Sequence, residues 1–105
     1  EQGTNTTISK GVESRFRSVE ERWVAATTEQ CNTLREYLVD EDEQSLNEYY
    51  RGIDDYLLTI EERIAEDLVE YCQSEGIAYT DDTIARNTSH IADKCRRMCA
   101  RDYRE

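Results

Sequence analysis

The chain has 105 residues, a formal charge of −11 at pH 7, four cysteines and no proline. This length predicts a single domain. The negative charge repels phosphate, which disfavours nucleic-acid binding. No apolar run approaches the roughly 20 residues that span a bilayer, so we predict no membrane segment. The lack of proline, with only four glycines, disfavours a turn-rich β-sandwich or barrel.

A polar arm and a long amphipathic helix are predicted first. We expect residues 1–11 to form a flexible arm and residues 12–105 to form one helical domain. From Val12 to Leu38, apolar or small side chains recur every three or four residues, which is the period of a helix. The acidic stretch 40–43 interrupts this period and is predicted to be a tight connection.

A second helical period runs from Leu46 to Cys72. Ser45 and Glu48 fit a capping box at its start, and Gly76 is a natural helix stop.

A third helical period, from Ile84 to Met98, follows a short apolar link. Thr80 or Asp81 can cap it. The polar triplet 87–89 lowers helix propensity and is predicted to split this last helix.

Cysteines and glycosylation sequons indicate the secretory pathway. The cysteines are Cys31, Cys72, Cys95 and Cys99. An even number of cysteines in a short chain predicts disulfides, and N-x-[ST] sequons make Asn5 and Asn87 glycosylation candidates. A zinc site that combines His90 with three thiolates is the alternative, but the cysteine spacing is wider than in zinc knuckles. We therefore expect a secreted, extracellular protein without a bound metal. Glu1 is not followed by a signal sequence, so we expect a mature chain or a fragment.

Two disulfide pairings remain open. Cys95 and Cys99 are four residues apart on one helix, where a bridge between them rarely fits. Each is expected to bond to Cys31 or Cys72, in either combination. A straight helical hairpin would separate Cys31 from Cys72 by roughly 25–30 Å, but Cys95 and Cys99 are only about 6 Å apart along their helix. We therefore predict a helix break at Gly52 and an all-α, compact, disulfide-stapled bundle of about four helices.

Charge and aromatic content indicate a binding surface. Residues 86–105 carry a net charge of +3 and residues 1–85 carry −14. A basic helix on an acidic body can steer the molecule onto a charged partner, or acidic neighbours can neutralise it internally. Tyrosine and arginine are enriched at protein interfaces. The predicted partner-binding residues are Tyr49, Tyr50, Arg96, Arg97, Arg101 and Arg104.

No catalytic constellation is recognised in the chain. His90 is the only histidine, and no serine–histidine–acid spacing accompanies it. Paired carboxylates on the helices are interpreted as solvated faces rather than glycosidase acids. The acidic stretch 40–43 lacks the glycine and glutamate positions of a calcium-binding EF-hand. We predict a non-enzymatic protein that uses no cofactor.

The order of long helices and of the four cysteines, over residues 12–104, resembles the albicin and anophensin family of anopheline mosquito salivary proteins. The C-terminal domain of the anopheline antiplatelet protein looks related. Albicin-like members block the alternative complement pathway at its C3 convertase, anophensin-like members interfere with contact activation, and the antiplatelet relatives bind collagen. The resemblance implies an inhibitor of host defence that binds the C3 convertase. The alternative that it implies is an anti-haemostatic module that binds collagen or contact factors.

Overall fold

The computed structural model describes residues 11–36, 38 and 43–104, with side chains as far as Cys99. A 3₁₀ turn at Ser14–Phe16 precedes four α-helices. These are α1 (Arg17–Arg35), α2 (Glu43–Leu58), α3 (Ile60–Glu75) and α4 (Asp81–Arg104). The described residues contain no strand, so the predicted all-α bundle of about four helices is confirmed. Within the same residues, no helix is both long and apolar enough to cross a membrane.

The connection between α3 and α4 follows the predicted local signals. Gly76 ends α3 in the left-handed conformation, with φ of 69°, which costs glycine little because it has no Cβ. Thr80 then caps α4, since its Oγ1 accepts a hydrogen bond of 3.1 Å from the Thr83 backbone N–H. Both predicted helix signals are confirmed.

The predicted break in the second helical period exists, but its predicted position is wrong. Helix α2 continues through Gly52, and the break lies at Thr59, between α2 and α3. A Cβ at Gly52 would lie 2.6 Å from Leu34 Cδ2, so the glycine allows α1 and α2 to approach closely. The predicted capping box is also wrong, because Ser45 lies inside α2, which begins at Glu43.

Helix α4 is continuous through residues 87–89, so the prediction that this triplet splits it is wrong. Asn87 is only 1% exposed. Its Nδ2 donates hydrogen bonds to Thr83 O at 2.8 Å and to Glu13 Oε2 at 3.2 Å, and its Oδ1 accepts one of 2.9 Å from Glu13 N–H. This fold therefore leaves no room for a glycan on Asn87, which corrects its assignment as a glycosylation candidate. The other candidate, Asn5, lies outside the described residues.

Two clusters of buried side chains hold the helices together. The main cluster comprises Phe16, Val19, Ile60, Ile64, Leu68, Cys72, Ile84, Ile91, Ala92 and Cys95. The distal cluster comprises Cys31, Tyr49, Ile53 and Cys99. The main cluster joins α1, α3 and α4, whereas the distal cluster joins α1, α2 and the later part of α4. The resulting molecule is elongated and measures 52 × 31 × 18 Å.

Candidate functional site

Acidic neighbours neutralise two cations in the second half of α4. Arg96, one of the predicted partner-binding residues, has Nη2 at 2.7 Å from Glu61 Oε2 and Nη1 at 3.3 Å from Asp93 Oδ1. Lys94 Nζ lies 3.6 Å from Glu20 Oε2 on α1. The internal-neutralisation interpretation of the basic helix therefore holds for Lys94 and Arg96.

Arg97 is placed differently from Arg96. Its side chain is exposed and forms no ion pair with any side chain that the structure describes. Arg101 and Arg104 continue the same helix, although their side chains lie outside the described part. Because steps of four and three residues stay on one side of an α-helix, these arginines share a face. We call Arg97, Arg101 and Arg104 the arginine face.

The structure separates the two predicted tyrosines. Tyr49 is 3% exposed and belongs to the distal cluster with Ile53 and Cys99, so its assignment to an exposed binding surface is wrong. Tyr50 is half-buried and packs against that cluster, with its ring centroid 5.5 Å from that of Tyr49. Cys99 lies two residues after Arg97, so Tyr50 and the start of the arginine face lie at the same end of the bundle.

The cysteines fall into two buried pairs, one in each cluster. The sulfurs of Cys31 and Cys99 lie 3.6 Å apart in the distal cluster, and Cys72 and Cys95 are both in the main cluster. No two of the described sulfurs are bonded, so the predicted disulfide staples remain a prediction. Burial raises the pKa of the Cys72 and Cys95 thiols. The described residues also hold no group of three or more metal-ligating side chains.

A polar and aromatic network that the sequence analysis missed joins α1, α2 and α3. Trp23 Nε1–H donates a 2.9 Å hydrogen bond to Asp67 Oδ2. The Arg63 guanidinium carbon lies 5.4 Å from the Trp23 ring centroid and 5.2 Å from that of Tyr56, within the range of cation–π contacts. Tyr56 Oη and Thr27 Oγ1 share a 2.9 Å hydrogen bond. Burial raises the pKa of Tyr56, with the Thr27 bond acting in the opposite direction.

An acidic row along α3 is the second feature that the sequence analysis missed. Glu62, Glu66 and Glu70 are exposed and form no ion pair with a described residue. Their spacing of four residues puts them on one face of the helix. The signal was present in the sequence, because no basic residue follows any of them at the fourth position. We call these residues the acidic row.

Comparisons with models of protein families, with curated proteins and with solved structures give no match. The resemblance to the mosquito salivary proteins therefore depends on helix order and cysteine order alone.

Proposed function

We propose that this chain is a secreted, non-enzymatic inhibitor that binds the C3 convertase of the alternative complement pathway and holds it inactive. The choice of target is supported by the resemblance to the salivary family. The mode of binding is supported by one observation: Arg97 is exposed without an ion pair to a described residue, whereas its neighbour Arg96 is held by Glu61 and Asp93. A cation without an ion pair among the described residues is available to an acidic partner.

The proposed mechanism is occupation of a surface. A stable interface covers about 800 Å² on each partner, and the protein exposes 7057 Å², so one interface would use only a small part of it. The molecule is 52 Å long, which allows opposite ends to contact different components of a complex. The arginine face would direct the encounter, and Tyr50 would contribute apolar contact area at the same end.

The target is tested by functional assays with purified protein. We expect inhibition of red-cell lysis through the alternative complement pathway, in proportion to binding of the convertase. Collagen-induced platelet aggregation and contact activation of plasma are measured in parallel, because the salivary resemblance also includes proteins with those targets. Inhibition of either parallel assay with unchanged lysis would contradict the complement proposal and favour the anti-haemostatic alternative.

The mode of binding is tested by reversing charge on the arginine face. The variant Arg97→Glu/Arg101→Glu should slow association with the convertase most strongly at low salt, where the Debye length is about 30 Å rather than 8 Å. The matched control is Arg17→Glu/Arg51→Glu, which changes net charge equally at exposed positions on α1 and α2. An equal slowing by both variants would mean that only net charge matters. Thermal melting of both variants verifies that the fold is intact.

A further inference from the structure

An open groove of about 430 Å³ lies between α3 and α4. Both helices contribute to its apolar floor, which is formed by Ala65, Val69, Ile84 and Ala85. Acidic side chains border it, including Glu62 on α3 and Asp81 at the start of α4. The groove therefore combines an apolar floor with a negative rim.

The negative rim continues beyond the groove along α3. A second, adjoining concavity shares Ala65 and Val69 with the groove and adds Glu66 and Glu70. The whole acidic row thus borders one continuous apolar strip. Three exposed carboxylates at four-residue spacing, without neutralising partners among the described residues, repel one another and attract cations at matching spacing.

A buried hydroxyl lines the same groove. Thr88 is 6% exposed, and its Oγ1 is buried without a hydrogen-bond partner in the described structure. Buried polar atoms are nearly always hydrogen-bonded, so each exception requires an explanation. Oγ1 itself is not accessible, so a polar group on a bound molecule would satisfy it only after the Thr88 side chain rotates toward the groove. Thr88 is thus a second feature of the groove, distinct from the rim charges, that a polar ligand group would stabilise.

We propose that this groove docks a basic amphipathic helix of a partner protein. Lysine or arginine side chains at every fourth position would pair with the acidic row, and aliphatic side chains between them would cover Val69 and Ala85. A polar group of the partner would bond to Thr88 Oγ1. A second copy of this chain is a poor occupant, because two molecules of charge −11 repel each other.

This assignment does not depend on the complement target, and a peptide assay tests it separately. The probe is a fluorescein-labelled synthetic helix with lysine at every fourth position and leucine along one edge of the lysine row. Fluorescence anisotropy with the full chain should show binding. A peptide with glutamate in place of lysine should not bind, and one with serine in place of leucine should bind more weakly. Equal binding of the lysine and glutamate peptides would overturn the proposal.

Charge neutralisation locates the bound peptide. The groove variant Glu62→Gln/Glu66→Gln/Glu70→Gln should weaken binding about tenfold, since three exposed ion pairs each contribute modestly. The control Glu21→Gln/Glu29→Gln/Glu36→Gln makes the same change in net charge at exposed positions on or just after α1 and should weaken binding less than about twofold. Equal losses would show non-specific attraction and would overturn the site.

Two further variants test the floor and the hydroxyl. Ala85→Trp should fill the groove and abolish peptide binding, while Ala25→Trp, at an exposed alanine of α1, should leave binding unchanged. Thr88→Val removes the hydroxyl without changing the shape of the side chain and should lower the affinity for the peptide. Unchanged affinity would contradict the role of Thr88.

Sedimentation equilibrium is measured on the same proteins. A dimer that Ala85→Trp dissociates would overturn the proposal in favour of self-association.

Discussion

The main and distal clusters stabilise the bundle in different ways. The main cluster is rich in aliphatic side chains from α1, α3 and α4, so burial of apolar area is its principal source of stability. The distal cluster contains one aliphatic side chain, Ile53, with Tyr49 and two cysteines. Its packing also depends on the close approach of Leu34 to Gly52. Helix α2 is therefore held by fewer contacts than the other helices, and these depend on a buried tyrosine, two cysteines and a glycine more than on aliphatic side chains.

The largest loss of stability is expected when the sulfur pair of the distal cluster is removed. We predict that Cys31 and Cys99 form a disulfide and that Cys72 pairs with Cys95. The sulfur atoms of Cys31 and Cys99 already lie 3.6 Å apart across 68 residues of sequence, and closing a loop of that size stabilises by roughly 4 kcal/mol. Cys99→Ser should lower the free energy of unfolding by that amount in urea titrations.

Mass spectrometry of the native protein checks the same prediction directly. Two bridges remove four hydrogens, about 4 Da, and proteolytic peptides should be linked as Cys31–Cys99 and Cys72–Cys95. A mass equal to that of the fully reduced chain, or peptides linked as Cys31–Cys95 and Cys72–Cys99, would contradict it.

The next largest loss of stability is expected when buried aliphatic side chains are truncated. Leu68→Ala in the main cluster, at a fully buried site, should destabilise the protein by about 3 kcal/mol because it leaves a cavity. Ile53→Ala in the distal cluster should cost less, about 2 kcal/mol, since fewer aliphatic neighbours surround it. Urea titrations of both variants compare the clusters. A larger loss at Ile53 would contradict the ranking of the two clusters.

Gly52 gives a prediction in which local propensity and tertiary packing differ in sign. Helix propensity alone makes Gly52→Ala stabilising by about 1 kcal/mol. The contact at 2.6 Å with the end of the Leu34 side chain should instead make it destabilising by about 1 kcal/mol, because Leu34 must shift from its packing against the distal cluster. In a Leu34→Ala background the clash disappears and Gly52→Ala should become stabilising. Destabilisation in both backgrounds would mean that the Leu34 contact is not the cause.

The smallest effect is at Tyr56, which connects α2 to the main cluster. Burial raises its pKa in the folded protein, so its contribution to stability is complete below the ordinary tyrosine pKa of about 10. This contribution is lost as pH rises through the pKa of Tyr56 in the folded protein, because the tyrosine ionises more easily in the unfolded chain. Tyr56→Phe should cost about 1 kcal/mol at neutral pH through loss of the Thr27 hydrogen bond. Above pH 10 the variant should lose stability less steeply than the parent under the same redox conditions. A parallel pH profile would contradict this assignment.

Helix content, the stop at Gly76 and the cap at Thr80 were predictable because they depend on residues close in sequence. The position of the break was not predictable, because Gly52 makes room for the Leu34 side chain of α1 and does not interrupt its own helix. Likewise, Asn87 weakens a helix locally, but its hydrogen bonds to Glu13, 74 residues away, keep α4 intact.

Of the candidate site, the sequence predicted the charges but not their partners. Arg96 and Arg97 are neighbouring residues of the same type, and the structure distinguishes them by the ion pairs that Arg96 forms with Glu61 on α3 and with Asp93 on its own helix. Tyr49 lies on the apolar period of its helix, which indicated the burial that the structure shows. The groove was not predictable, since it requires α3 and α4 to lie side by side.

Trp23 gives the protein an internal optical reporter. It is the only tryptophan in the chain, so all indole emission comes from the junction of α1, α2 and α3. Its N–H is bonded to Asp67 and its ring lies against Arg63. When α1 separates from α3, the indole enters water and its emission should shift to longer wavelength. Opening of the distal cluster alone, with Tyr56 and Arg63 still in place, should leave that emission unchanged, so fluorescence and circular dichroism together distinguish opening of the distal cluster from global unfolding.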